Sequence, residues 1–89
     1  MGNFTPLIMK EEIEMVRVDS IETSFGNVQK VNLFADSRSE VTPVDMDTGE
    51  TEMEIVGLQP NVRLTMGSMV ITADADAAFL KSDGSWRWQ

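Results

Sequence analysis

Gly67-Ser68-Met69-Val70-Ile71-Thr72-Ala73-Asp74-Ala75-Asp76-Ala77-Ala78-Phe79-Leu80-Lys81-Ser82-Asp83-Gly84-Ser85-Trp86-Arg87-Trp88 is the stretch on which the fold of this chain turns. Met69 to Ala73 follows a glycine and has a β-branched centre, which favours a strand over a helix. Asp74-Ala75-Asp76 is a short polar connection, Ala77 to Lys81 returns, and Asp83-Gly84 is a two-residue hairpin signal. Ser85 to Trp88 is a short last strand, so the stretch reads as a three-stranded meander. With tight turns, Ala73 faces Ala77 and Ile71 faces Phe79 across the first. Across the second, Ser82 faces Ser85, Lys81 faces Trp86 and Phe79 faces Trp88. Ile71, Phe79 and Trp88 then form one row, each neighbouring pair contributing roughly 0.2–1 kcal/mol beyond simple burial. Lys81 lies over Trp86 as a cation–π contact of about 0.5–1 kcal/mol. Val70 and Leu80 occupy the opposite side. With apolar residues on both faces, the meander is central, covered on both sides, or in contact with another subunit.

Upstream, Ile21 to Phe25, Gly26-Asn27 and Val28 to Phe34 read as a hairpin, and glycine first in the loop suits a type II′ turn. Ala35 to Glu40 is a polar break. Val41 to Met46 carries Pro43, which cannot donate to a ladder and belongs at an edge or bulge. Asp47-Thr48-Gly49 is a three-residue hairpin tip with Gly49 left-handed, after which Thr51 to Val56 returns. Gly57 to Asn61 is a turn and Val62-Arg63-Leu64 a short strand. Met1 to Pro6 reads as a loose leader. Residues 7–18 carry both a helical stripe (Met9, Ile13, Val16) and an alternating pattern. A strand over roughly residues 12–18 is the preferred reading, with room for a single helical turn before it. Turn signals every 8–12 residues and about eight short strands define the expected class: all-β, mainly antiparallel, a small sandwich or barrel in one domain over residues 1–89.

Composition narrows the function. At 89 residues the chain forms one core of modest stability, and with no cysteine it has no disulfide to support it. Small folds without such staples often rely on oligomerisation. The formal charge of −8, from 7 basic and 15 acidic side chains, argues against general phosphate-backbone binding and against an anionic membrane surface. No run of about 18 apolar residues is present to span a bilayer, and no secretory signal is visible at the N-terminus.

The chain has no His, Cys or Tyr. Ser–His–Asp and Cys–His nucleophilic sites are therefore excluded, as is a metal hydrolase built on imidazoles. There is no Gly-rich phosphate loop and no strand–GxGxxG–helix unit. The expectation is a protein that is not an enzyme and has no cofactor. Asp45-Met46-Asp47-Thr48-Gly49-Glu50 resembles the start of a calcium loop, but its glycine falls one place early and Val56 stands where the closing Glu is needed. Asp45 and Asp47 are the candidate cation ligands, against the simpler reading of a hairpin tip. The seven methionines suit irregular core filling and adaptable contacts. Trp86, Trp88, Lys81 and Phe79 form the candidate interaction surface, since aromatics aligned on one face stack sugars, bases or a partner protein.

The terminal motif, Gly67-Ser68-Met69-Val70-Ile71-Thr72 followed by Ala78-Phe79-Leu80-Lys81-Ser82-Asp83-Gly84-Ser85-Trp86, resembles a pattern found in small structural proteins of tailed bacteriophages and prophages. Those proteins are often acidic, cysteine-poor and β-rich. The resemblance covers about a quarter of the chain and implies a virion or bacterial cytoplasmic location. It also implies partners that are other virion proteins or further copies of the same chain. Two alternatives stand beside it: a carbohydrate- or protein-binding β module using Trp86 or Trp88, and an acidic mimic of nucleic acid. The mimic requires Glu11, Glu12, Glu14, Glu50, Glu52 and Glu54 to form one continuous stripe.

Overall fold

A computed structural model describes residues 16–89. Residues 1–15, the leader and most of the helix-or-strand stretch, lie outside the described residues; the last three residues of that stretch, Val16 to Val18, are strand. The fold opens with a hairpin, β1 (Val16–Phe25) and β2 (Val28–Ala35), joined by Gly26-Asn27. Phe25 pairs with Val28, so the loop has two residues. Gly26 has φ 65°, the positive value that a type II′ turn requires first and that glycine adopts without a Cβ penalty. Two register shifts interrupt β1, between Val18 and Ser20 and between Ile21 and Thr23. Such bulges bend a strand and blunt its free edge.

Five shorter strands follow: β3 (Ile55–Val56), β4 (Arg63–Leu64), β5 (Met69–Thr72), β6 (Ala77–Leu80) and β7 (Trp86–Trp88). Their order in the sheet is β3-β1-β2-β5-β6-β7, with β4 also paired to β2. The chain is all-β, with the expected meander at its C-terminus. Among the described residues the seven strands form one open mixed sheet, however, and do not close into a barrel. The sheet is mixed because β5 runs parallel to β2, as β4 does, and β3 runs parallel to β1. Parallel neighbours need a long crossover, and residues 36–68 make it. That crossover, largely irregular, supplies the second layer that another sheet would have provided. Within it the expected hairpin over residues 41–56 shrinks to a single bridge, Val44 with Thr51. Gly49 is left-handed as expected, at φ 83°, but the tip is one residue longer than read: Asp45 N donates to Glu50 O at 2.8 Å, so Met46 to Gly49 form a four-residue loop.

The core lies between one sheet face and this crossover. Alternation places Val31, Leu33 and Ala35 of β2, Val70 and Thr72 of β5, and Ala78 and Leu80 of β6 on the buried face. Leu64 of β4 extends this face, and Val44 and Met53 of the crossover close over it, with Val41, Met46, Leu58 and both tryptophans packed against the core. β4 and β5 share one edge of β2, and the ladder breaks between them. Arg63 N donates to Asn27 O (2.7 Å) and Thr65 N to Gln29 O (3.0 Å), and regular pairing resumes at Asn32 with Met69. In the gap the buried Ser68 hydroxyl accepts the Val31 amide at 3.2 Å. A serine is fully buried there because a backbone donor would otherwise have no acceptor.

The register of the meander corrects the sequence reading. Met69 pairs with Phe79 and Ile71 with Ala77; Ala78 pairs with Trp88, Phe79 with Arg87 and Leu80 with Trp86. The row Ile71–Phe79–Trp88 does not exist, and Lys81 is not opposite Trp86. In the first turn the closing pair is Thr72 and Asp76, whose amide-to-carbonyl bond is 2.8 Å. The turn is centred one residue earlier than expected, which shifts partners but preserves faces. In the second turn Lys81 N donates to Ser85 O at 2.8 Å and Gly84 N to Lys81 O at 3.0 Å, with Gly84 at φ 91°. This is a three-residue loop ending in a left-handed residue, not a two-residue one. One extra residue moves every side chain of β7 to the other face. Trp86 and Trp88 therefore point towards the core, while Ile71 and Phe79 point away from it.

Candidate functional site

Two surfaces on opposite sides of the sheet stand out. The first is the sheet face turned away from the core. Strand alternation places Phe34 of β2, Met69 and Ile71 of β5, and Phe79 of β6 on it. The register sets Phe34 beside Ile71 and Met69 beside Phe79. Ile71 and Phe79 remain 40% and 39% exposed, which is high for large apolar side chains on neighbouring strands of one sheet. Cations border the patch. The Arg17 guanidinium stacks on Phe34, 4.7 Å from the ring centre, and approaches Asp36 at 3.8 Å. Lys30 pairs with Glu22 at 3.5 Å. Arg87, opposite Phe79 in the register, is exposed and forms no ion pair among the described residues. An apolar centre with an arginine at its border is the composition that protein interfaces favour.

The four side chains expected to form one interaction surface are divided by the sheet. Phe79 and Lys81 are exposed. Trp86 and Trp88 are half-buried on the core side. The Trp86 indole N–H donates to Thr42 O at 2.8 Å, and the Arg38 guanidinium sits 4.5 Å from the Trp88 ring centre. It is Arg38 from the crossover, not Lys81, that covers a tryptophan. Both rings therefore clamp the crossover onto the sheet.

The second surface is a groove of about 870 Å³ on the crossover side, between the Thr42–Glu52 loop and the tip of the β6–β7 hairpin. Its floor includes Val44 and Met46, and its walls carry Asp45, Asp47, Glu50, Glu52 and Asp83. No basic side chain lines it among the described residues. Asp45 works within its own loop: its Oδ1 accepts the amides of Asp47 (2.9 Å) and Thr48 (3.3 Å), the Asx-turn pattern that shapes a tight tip. The Asp83 carboxylate accepts the Ser85 hydroxyl at 2.7 Å and the Ser85 amide at 3.0 Å. Those two bonds, helped by the charge of Lys81, hold its pKa below the ordinary aspartate range. Among the described residues no group of three or more acidic side chains is arranged to hold a metal ion. Of the stripe needed for nucleic-acid mimicry, Glu50 and Glu52 line the groove while Glu54 does not; Glu11, Glu12 and Glu14 lie outside the described residues.

The reading of the sequence passed over Phe34, Met69 and Arg87. Alternation within β2 carried a signal for Phe34, which stands out of phase with Leu33 and Ala35. Its position beside Ile71 depends on a parallel pairing that no local pattern encodes. No protein-family model, curated protein or solved structure matches this chain. No helix among the described residues is long and apolar enough to cross a membrane.

Proposed function

We propose that this chain is a non-catalytic structural or assembly protein, a component of a tailed-phage particle or prophage that works through protein–protein contacts. The observation that carries this reading is the sheet face formed by Phe34, Met69, Ile71 and Phe79. An apolar sheet face that the described residues leave partly exposed gains stability when a partner removes it from water, at roughly 25 cal/mol per Å² buried. The terminal motif adds its resemblance to phage structural proteins, and the lack of His, Cys and Tyr leaves few routes to nucleophilic chemistry. The sugar-binding alternative is weakened by the tryptophans, because Trp88 already stacks with Arg38 and the Trp86 N–H is already bonded.

Static light scattering and co-sedimentation of the purified chain with capsid, connector and tail components test the reading. Association with any of these supports it, and weakened association in Phe79→Ser or Ile71→Ser assigns the contact to the sheet face. A strict monomer that ignores every component overturns it.

A further inference from the structure

The outer sheet face and the acidic groove are complementary in charge and lie on opposite sides of one thin molecule. Val44 and Met46 of the groove pack on the core side. Phe79 and Arg87 are paired on the outer side. The face offers an apolar centre beside an exposed arginine; the groove offers an apolar floor ringed by carboxylates. Packing two outer faces together offers Arg87 no carboxylate of the groove and leaves the acidic groove of each copy unmatched. Packing face on groove sets Arg87 among carboxylates and removes the apolar face, with the exposed part of Met46, from water. Resting on the assembly reading, we propose that copies of this chain associate head to tail: Phe79 and Arg87 of one copy enter the groove between Val44, Asp45 and Glu50 of the next.

Such a contact uses two different patches, so a pair of copies retains one free face and one free groove. It propagates into a ring if the rotation closes and into a filament if it does not. The ion-paired border also makes assembly sensitive to salt, because exposed pairs are screened within about 10 Å at 0.1 M ionic strength.

The test uses two surface variants of the full chain, Arg87→Glu and Glu50→Lys, followed by light scattering at low and high salt with circular dichroism as a check of folding. The wild type is expected to form species larger than a dimer at low salt, shrinking as salt rises. Each variant alone loses one half of the contact and associates at least about tenfold more weakly. Mixed together, the two variants regain it, because Arg87→Glu retains a native groove and Glu50→Lys a native face. The expected product of the mixture is a hetero-oligomer containing both. A mixture that stays monomeric, or a wild-type assembly indifferent to both substitutions, overturns the head-to-tail contact. So does a wild type that stays monomeric at low salt. A wild-type monomer that still binds virion components also overturns self-association, while leaving the wider assembly role standing.

Discussion

The amide of Val44 donates to the carbonyl of Gly84 at 2.8 Å, and Gly84 lies so close that a Cβ there would overlap the Val44 carbonyl oxygen. This one contact fastens the crossover to the tip of the β6–β7 hairpin and sets one wall of the acidic groove. Gly84 is also left-handed, at φ 91°, where a side chain costs roughly 1–2 kcal/mol even in open space. Gly84→Ala adds a collision with backbone to that cost. We expect a loss of more than about 2 kcal/mol in urea unfolding, with a change in Trp86 fluorescence as the Thr42 carbonyl is drawn from the indole N–H. An unchanged midpoint would show that the crossover is not held there.

Ala75 occupies the equivalent left-handed place in the β5–β6 turn, at φ 71°, but carries a Cβ. Glycine removes the steric cost there and adds some unfolded-state entropy. Ala75→Gly is therefore expected to stabilise the protein by about 0.5–1 kcal/mol. Thermal unfolding measures it, and a lower melting temperature would contradict the φ assignment.

Ser68 is fully buried and its hydroxyl accepts the Val31 amide where the ladder between β4 and β5 is broken. Ser68→Ala leaves that amide without an acceptor in the core, which costs about 1–3 kcal/mol. Hydrogen exchange at Val31 should accelerate more than at Leu33 if the serine acts locally. Equal acceleration would point to general loosening instead.

Asp83 titrates below the ordinary aspartate range because the Ser85 hydroxyl, then the Ser85 amide, bond its ionised form. A lowered folded-state pKa stabilises the fold above the unfolded value, and that contribution disappears as pH falls through the folded value. Ser85→Ala is expected to raise the Asp83 pKa, measured by NMR titration, and to flatten this acid-limb dependence. A pKa unmoved by the substitution would remove the hydroxyl as the main cause.

Much of this fold was legible locally. Gly26-Asn27 specifies its hairpin because only a residue tolerant of positive φ can lead that turn. Gly49 and Gly84 mark the left-handed ends of their loops for the same reason. What misled the reading at Asp83-Gly84 was loop length. Asp-Gly suits a two-residue turn, but here Ser82 joins the loop, the Asp83 side chain bonds Ser85, and the closing pair becomes Lys81 with Ser85. A single residue of slip reverses β7, and so Trp88 left the row that Ile71 and Phe79 were expected to share with it.

By itself the chain's order of residues determined the all-β class, most of the turns and the narrow choice of chemistries, since each depends on neighbours within a few positions. Tertiary structure alone decided that β5 lies parallel to β2, that residues 36–68 cross over one face of the sheet, and that Phe34, Ile71 and Phe79 meet on the other. Those outcomes depend on which of two faces a long, weakly patterned segment covers. Among its anchors, Gly84 against Val44 and Trp86 against Thr42 join residues some forty positions apart. Periodicity over a few residues carries no information about contacts at that range.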